Sequence, residues 1–291
     1  MLRSLFTGIS GLRAHQMMMD VTGNNIANVN TTGFKGSQVT FQDTFSQLLE
    51  GAAAPQNANQ GGTNPSQVGL GVRVAGMSTN YGQGSTQVTG RNTDLSINGE
   101  GFFVVNAGGE QMYTRAGSFN FDREGTLVTP EGNPVQGWQA NPQGDLDGAG
   151  AAGSMGTISL TAATGPNEAL TAFRIGSDGV ITGVFKADGA NGAVTQRTVG
   201  QVAVATFTNN GGLEKAGSSN YRESVNSGAV TINTPGQGAN GTLSAGALEM
   251  SNVDLAQEFT NLIISQRGFQ ANSRVITTSD ELLQELVNLK R

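Results

Sequence analysis

Residues 255–289, LAQEFTNLIISQRGFQANSRVITTSDELLQELVNL, carry the longest helical periodicity in the chain. Leu255, Leu262, Phe269, Ile276 and Leu283 fall seven residues apart, and Phe259 and Val287 take the interleaved apolar positions of a heptad. The spacing predicts a long helix with a coiled-coil-like seam, broken by Gln266, Ser273 and Asp280. Ser251 and Asp254 stand in capping-box spacing ahead of it and predict its start. Run to Leu289, such a helix is roughly 55 Å long at a rise of about 1.5 Å per residue. No apolar stretch close by in sequence can cover its stripe.

A partner stands at the other end of the chain. Leu2, Leu5, Ile9, Leu12 and Met19 advance by threes, fours and sevens, and Leu5, Leu12, Met19 and Ile26 are again seven apart, with Gln16 as a polar break. Polar residues in such a seam weaken a coiled coil but restrict its register. The two terminal helices are therefore expected to lie together, with everything between them a long insertion. His15, on the flank of the first seam, is expected to pack there.

Composition limits what that insertion does. Of 291 residues, 13% are charged, about half the usual share for soluble domains, and 43 are Gly. Such a weakly charged, Gly-rich chain suits a protein that buries much of itself against copies of itself, and equally suits a secreted β-protein. The net charge of −6 lacks any basic cluster and argues against nucleic acid or an anionic membrane as partner. No apolar run approaches the roughly 18 residues of a membrane span. Zero Cys excludes disulfides and thiol chemistry, and a single His leaves little room for a histidine metal site or a Ser-His-Asp triad. Gly8, Arg13 and His15 interrupt any signal-peptide core, so export, if it occurs, is expected without a cleaved leader.

After the first helix comes Asn24-Asn25-Ile26-Ala27-Asn28-Val29-Asn30, then Thr31-Thr32-Gly33-Phe34-Lys35-Gly36. Asn tolerates left-handed backbone and competes for main-chain hydrogen bonds, so the cluster reads as a capped helix end and turn. The alternative is that Asn24, Asn25 and Asn28 share one helical face and bond to a neighbouring chain.

The runs Ser10-Gly11-Leu12, Asn24 to Asn28 and Thr32-Gly33-Phe34-Lys35 resemble the N-terminal signature of the bacterial flagellar axial proteins, which comprise rod, hook and hook-associated subunits. Gly246-Ala247-Leu248-Glu249, Ser251 to Leu255 and Gln266 to Asn272 resemble the other end of the same family. Within it, Asn64 to Val72 and Leu286 to Leu289 are most similar to hook subunits. Gly99-Glu100-Gly101-Phe102-Phe103 and Thr114-Arg115-Ala116-Gly117-Ser118-Phe119 look like the first β-domain of hook and rod subunits, and Ala203 to Ser227 like its returning half.

Between the helices, residues 41–49 read as a short helix or extended arm, and 55–67 as a linker rich in Asn, Gln, Gly and Pro. Val72 and Val74 alternate, as do Leu95 and Ile97, and Phe102 to Val105 form an apolar run suited to a buried strand. A hairpin is expected through Asn106 to Gly109 into Met112-Tyr113-Thr114. Another is expected from Phe119 and Phe121 through Asp122 to Gly125 into Leu127-Val128. Residues 139–157 are the clearest boundary, followed by strands near Phe173 to Ile175 and Val180 to Phe185. Gly148 to Gly153 matches a dinucleotide-binding fingerprint but lacks the preceding strand, and Asp145 and Asp147 lack the remaining ligands of a calcium loop.

The expected fold is α+β, with N- and C-terminal helices paired coiled-coil-like and enclosing nested, mostly antiparallel β-domains. The helical assembly domain takes 1–30 and 250–291, and a connecting arm takes 31–70. The first β-domain takes 71–138 and 201–249, and an inserted second one takes 139–200. Neither catalytic nor metal-binding residues nor a cofactor are expected.

The resemblance implies a subunit of the flagellar hook that polymerises into a bendable, torque-transmitting tube outside the cell. Its expected partners are itself, rod, hook-cap and hook-filament junction proteins and the export apparatus. A distal-rod subunit is the alternative, and a secreted β-rich hydrolase or carbohydrate-binding protein a distant third. The expected assembly residues are Leu5, Ile9, Leu12, Met19, Asn24, Asn25, Asn28, Leu255, Phe259, Leu262, Phe269, Ile276 and Leu283.

Overall fold

The computed structural model describes residues 2–54, 61–141, 144–146, 155–161, 168–187 and 194–289. Two helices, α1 (Leu2–Ala27) and α2 (Leu255–Asn288), bracket a series of antiparallel strands. The chain divides into two compact units. One comprises Met1–Ala27, Gly36–Asn80 and Val253–Arg291, and the other Asn28–Lys35 and Tyr81–Asn252. The Gly148–Gly153 fingerprint and Asp147 lie outside the described residues, which hold no cluster of His, Asp or Glu able to bind a metal.

In the helical unit, α1 ends inside the Asn cluster and α2 starts later than the capping box suggests. Asp254 is its N-cap, and the Asp254 Oδ1 accepts from the amides of Ala256 and Gln257 at 2.8 and 3.3 Å. A carboxylate there satisfies two orphan amides and complements the helix dipole, which Ser251 cannot do three residues further out. The segment expected as a short helix or extended arm is extended and forms a β ribbon. Ser37–Asp43 pairs with Val72–Thr79, and Ser46–Glu50 pairs with Ser66–Gly69. Val72 and Val74, expected in the first β-domain, thus belong to the helical unit. Backbone pairing of Thr44 with Gly71 and of Leu70 with Phe45 carries one ladder into the next.

The β unit is built on a six-stranded antiparallel sheet, in the order Glu214–Gly217, Asn220–Arg222, Glu110–Thr114, Phe102–Ala107, Val204–Thr206, Thr231–Asn233. Its central run alternates between two cores. Phe103 and Val105 enter a cluster with Leu95, Phe119, Ile181 and Val199, whereas Phe102 and Val104 enter another with Tyr113, Phe207 and Tyr221. Both faces are covered, which is why the run is apolar without alternation. The expected hairpins form. Asn106 Oδ1 accepts from the Gly109 amide at 2.8 Å, and Asp122 Oδ1 accepts from the amides of Glu124 and Thr126.

A five-stranded sheet follows, in the order Gly156–Thr157, Gln136–Gln139, Val194–Val202, Val180–Ala187, Glu168–Ile175. It is not a separate module cut at 138/139 and 200/201. Both cuts fall inside strands, and Ile158, Ile175, Ile181, Phe185 and Val199 share one core with Phe103, Leu127 and Val204. On either side of the polar stretch, Trp138 joins the cluster of Phe102 and Tyr113, and Ile158 joins that of Phe103 and Val199.

The β unit is also fastened by a buried charge cluster. Lys35 Nζ donates to Glu249 Oε1 at 2.6 Å, and Arg115 Nη1 donates to Glu249 Oε2 at 3.1 Å. Nothing of Lys35 is exposed and almost nothing of Glu249. The Gly84 amide adds a third donor to the carboxylate, while Lys35 also donates to Gly82 O and Arg115 Nη2 to Gly99 O. Burial pulls the Lys35 amine below its ordinary value, and the bond to Glu249 opposes that pull. Gly33, two residues before Lys35, donates its amide to Glu249 O at 2.8 Å. Its φ of +67° and a gap in which a Cβ would stand 2.5 Å from the Ala116 nitrogen allow only Gly there.

Replacing Glu249 with Ala leaves two buried cations without their counter-charge and should cost the β unit about 3–5 kcal/mol, read as a lower denaturant midpoint with unchanged slope. A second outcome concerns alkali. Burial, with Glu223 adding, pushes the Tyr113 phenol up to about 12, and burial pushes Tyr221 up as well. Since an unfolded tyrosine ionises near 10, the folded chain holds more protons between about pH 10 and 12. This contribution to stability is complete below pH 10 and is lost as pH rises through 12. The phenolate absorbance of two of the three tyrosines should therefore rise together with loss of the β-sheet circular dichroism signal.

Candidate assembly surface

Within the helical unit α1 and α2 run antiparallel. Ser4 Oγ and Ser279 Oγ stand 3.3 Å apart at one end, and at the other Asn25 Nδ2 donates to Glu258 Oε1 at 3.0 Å. Between these points glycines of one helix meet larger side chains of the other. A Cβ on Gly8 would meet Ile276 at 3.0 Å, one on Gly11 would meet the Asn272 amide at 2.7 Å, and one on Gly268 would meet the His15 ring at 2.5 Å. His15 does pack on the seam, its ring seated over Gly268 and tilted toward Phe41 at 6.3 Å.

This seam is not the heptad of large apolar residues. On α2 the fully buried positions are Ser265 and Ser279, and with Glu258 and Asn272 they form a column seven residues apart. It lies one residue before the expected Phe259, Gln266, Ser273, Asp280 and Val287, all of which are exposed. The physical reason lies in α1. Gly8, Gly11 and Ala14 let the backbones approach closely, so Ser265, Asn272 and Ser279 fill the seam with Ile276 against Gly8, while Phe259 and Phe269 turn out.

The expected assembly residues are placed accordingly. Leu5, Leu12, Met19, Leu262, Ile276 and Leu283 are half-buried beside the seam, while Ile9, Leu255, Phe259 and Phe269 are exposed. The three Asn do not form one outward face. Asn25 is buried, donates to Ser37 O at 2.8 Å, accepts from the Ser37 amide at 3.1 Å and so spends its amide inside its own chain. Asn28 Oδ1 accepts from Thr31 Oγ1 in the turn after α1, and Asn24 is exposed.

Apolar residues are divided unequally between the two units. Among the described residues, every buried apolar side chain except Ala14 belongs to the β unit, and every exposed large apolar one except Val88, Val194 and Val225 belongs to the helical unit. On α2 the exposed set includes Phe259 at 50%, Ile263, Ile264, Leu286 and Val287 at 69%. Large contiguous apolar patches are rare on monomeric soluble proteins. No described helix is long and apolar enough to cross a membrane. The residues that make the actual seam carried a signal in the sequence, a seven-residue spacing of Glu258, Ser265, Asn272 and Ser279, but polar columns are read as solvent faces by default.

Three family patterns match the chain. They are described as flagella basal body rod protein over residues 5–35, flagellar hook protein FlgE/F/G D1 domain over 96–183, and flagellar basal body rod FlgEFG protein C-terminal over 244–289. The chain is 49% identical over 292 residues to the flagellar basal-body rod protein FlgG of Bacillus subtilis, with 100% of both chains covered. It is 35% identical to the protein of the same name from Caulobacter vibrioides, covering 99% of this chain and 100% of that one. To the flagellar hook protein FlgE of Borreliella burgdorferi it is 32% identical, in an alignment of 448 positions that covers both chains fully.

The seam makes a paired expectation. Gly11→Leu forces a bulky side chain against Asn272 and should destabilise helix pairing by about 1–3 kcal/mol. Gly23→Ala, where a Cβ meets nothing within 4 Å, should stabilise α1 by about 1 kcal/mol. Thermal melts of helical circular dichroism on the two variants check both signs.

Proposed function

Because the chain belongs to the flagellar basal-body rod and hook family and is a structural subunit of the flagellar axis, we propose that it serves in the rod rather than the hook. The observation that carries this choice is the full-length match at 49% identity to a rod protein with almost no difference in length. The hook relative aligns over 448 positions against the 291 residues of this chain, so a long part of it has no counterpart here. The motif-level likeness of Asn64 to Val72 and Leu286 to Leu289 to hook subunits supports the hook as second reading.

In this function the terminal helices are the polymerising element and the β unit is a folded body with its own core. Nine exposed large apolar side chains on α2, and Leu289 at its C-cap, await cover. At 1.5–3 kcal/mol for each complete burial, covering even half of that surface is worth on the order of 10 kcal/mol per copy before ordering costs. That is enough to hold a polymer together without catalysis or cofactor. We assign as partners further copies of this chain and the neighbouring rod and hook subunits. The route is through the flagellar export apparatus to a place beyond the cytoplasm.

Purified chain should assemble into straight tubes visible by electron microscopy, and curved tubes would favour the hook. Phe269→Asp or Leu262→Asp should stop assembly while leaving the melting of the β unit within about 0.5 kcal/mol of the parent, as expected of surface changes remote from its core. Unimpaired tubes from both variants would count against the helices as the polymerising element.

A further inference from the structure

The two helices differ in length, α1 having 26 residues and α2 34. The difference is not shared between the ends. At the Asn25–Glu258 contact both helices are within a turn of their ends, whereas beyond the Ser4–Ser279 contact nine residues of α2 continue and only two of α1. At about 1.5 Å per residue, α2 projects roughly 10 Å past the start of α1. The projecting end carries Leu282, Leu286 and Leu289 at helical spacing, all exposed, the last at 82%. Asp280, Glu281 and Glu285 flank this stripe, and its described residues hold no base.

Elsewhere in the same unit a groove of about 420 Å³ is lined by Phe6, Ile9, Arg13 and Met17 of α1 and by Val72 and Arg73 of the ribbon. Phe6, Ile9 and Met17 are exposed, and the two charges of its lining, Arg13 and Arg73, are both basic. The chain's own projecting end cannot fill it. The α1 turn that carries Ile9 faces Asn272 and Ile276, and Leu286 stands ten residues beyond Ile276, about 15 Å along α2.

We propose that the projecting end of α2 from one copy lies in the α1 groove of the next. Leu282 and Leu286 pack among Phe6, Ile9 and Met17, and Glu281 and Glu285 meet Arg13 and Arg73. Apolar cover supplies the affinity, and the opposed charges fix direction and register. The pairing is heterologous, since donor and acceptor patches differ and every copy offers one of each, so growth can continue without closing. It deepens the polymer reading above and rests on it.

The absence of Cys makes the test direct. Ile9→Cys combined with Leu286→Cys, assembled and then oxidised, should give a ladder of covalent multimers on a denaturing gel. Ser4→Cys with Ser279→Cys, whose hydroxyls face each other within one chain, should stay at monomer mass. Tubes that form without a ladder from the first pair overturn the pairing and leave the polymer reading standing.

A parent chain that never polymerises removes the polymer reading and the pairing with it. Independently, Arg13→Glu should raise the critical concentration for assembly by about tenfold or more, and adding Glu285→Arg should recover most of the loss. An Arg13→Glu chain that assembles like the parent, or a reversed pair that recovers nothing, also overturns it.

Discussion

One buried carboxylate, Glu249, constrains more of this molecule than any other group. It takes donors from Lys35, Arg115 and the Gly84 amide, while its main-chain carbonyl takes the Gly33 amide. Those partners come from segments far apart in sequence, so the carboxylate fixes where the chain enters and leaves the β unit. A charge with no water around it tolerates little displacement, because each lost donor exposes a desolvation cost that burial in low dielectric magnifies. The cluster therefore specifies an arrangement more than it adds net stability, as buried ion pairs commonly do. The motifs Thr32-Gly33-Phe34-Lys35, Thr114-Arg115-Ala116 and Ala247-Leu248-Glu249 acquire a common cause, since each brings one member of the same cluster.

The β unit and the helical unit resolve the same hydrophobic effect in opposite ways. The first closes two cores around Phe102 to Val105 and, among the described residues, leaves only Val88, Val194 and Val225 of its large apolar side chains exposed. The second pairs its helices through Gly, Ala and Ser and leaves Phe259, Ile263, Leu282 and Leu286 in the open. A small-residue seam gains close backbone contact but buries little apolar area, so this unit depends on other chains for its remaining cover. In a subunit of the flagellar axis that dependence is the mechanism. Under the proposed function, the surface that would be a liability in a monomer is what holds the polymer together.

Asn64 to Val72 and Leu286 to Leu289 resemble hook subunits, whereas over the full length the identity is higher to a rod protein than to a hook protein. The terminal segments match patterns of the rod and hook family as a whole. Length reports the part in which the relatives differ, and here it agrees with the rod protein and not with the hook protein.

Much of this structure could be read from residue order alone. The two terminal helices, the hairpins through Asn106 to Gly109 and Asp122 to Gly125, and the buried run at Phe102 follow from local periodicity and turn chemistry, which are properties of neighbouring residues. What the sequence left open depends on which distant surface each element meets. The heptad at Leu255 marks an apolar stripe, but only the glycines of α1 decide that the column Glu258, Ser265, Asn272 and Ser279 turns inward instead. Asn25 sits in a cluster whose spacing would let it face a neighbour, but Ser37 and Glu258 occupy its amide. The ribbon of 37–79 and the core shared across residue 139 likewise arise from pairings between remote segments. Local propensity determines that an element forms. Burial, a sum over contacts that sequence spacing does not encode, determines which of its faces is used.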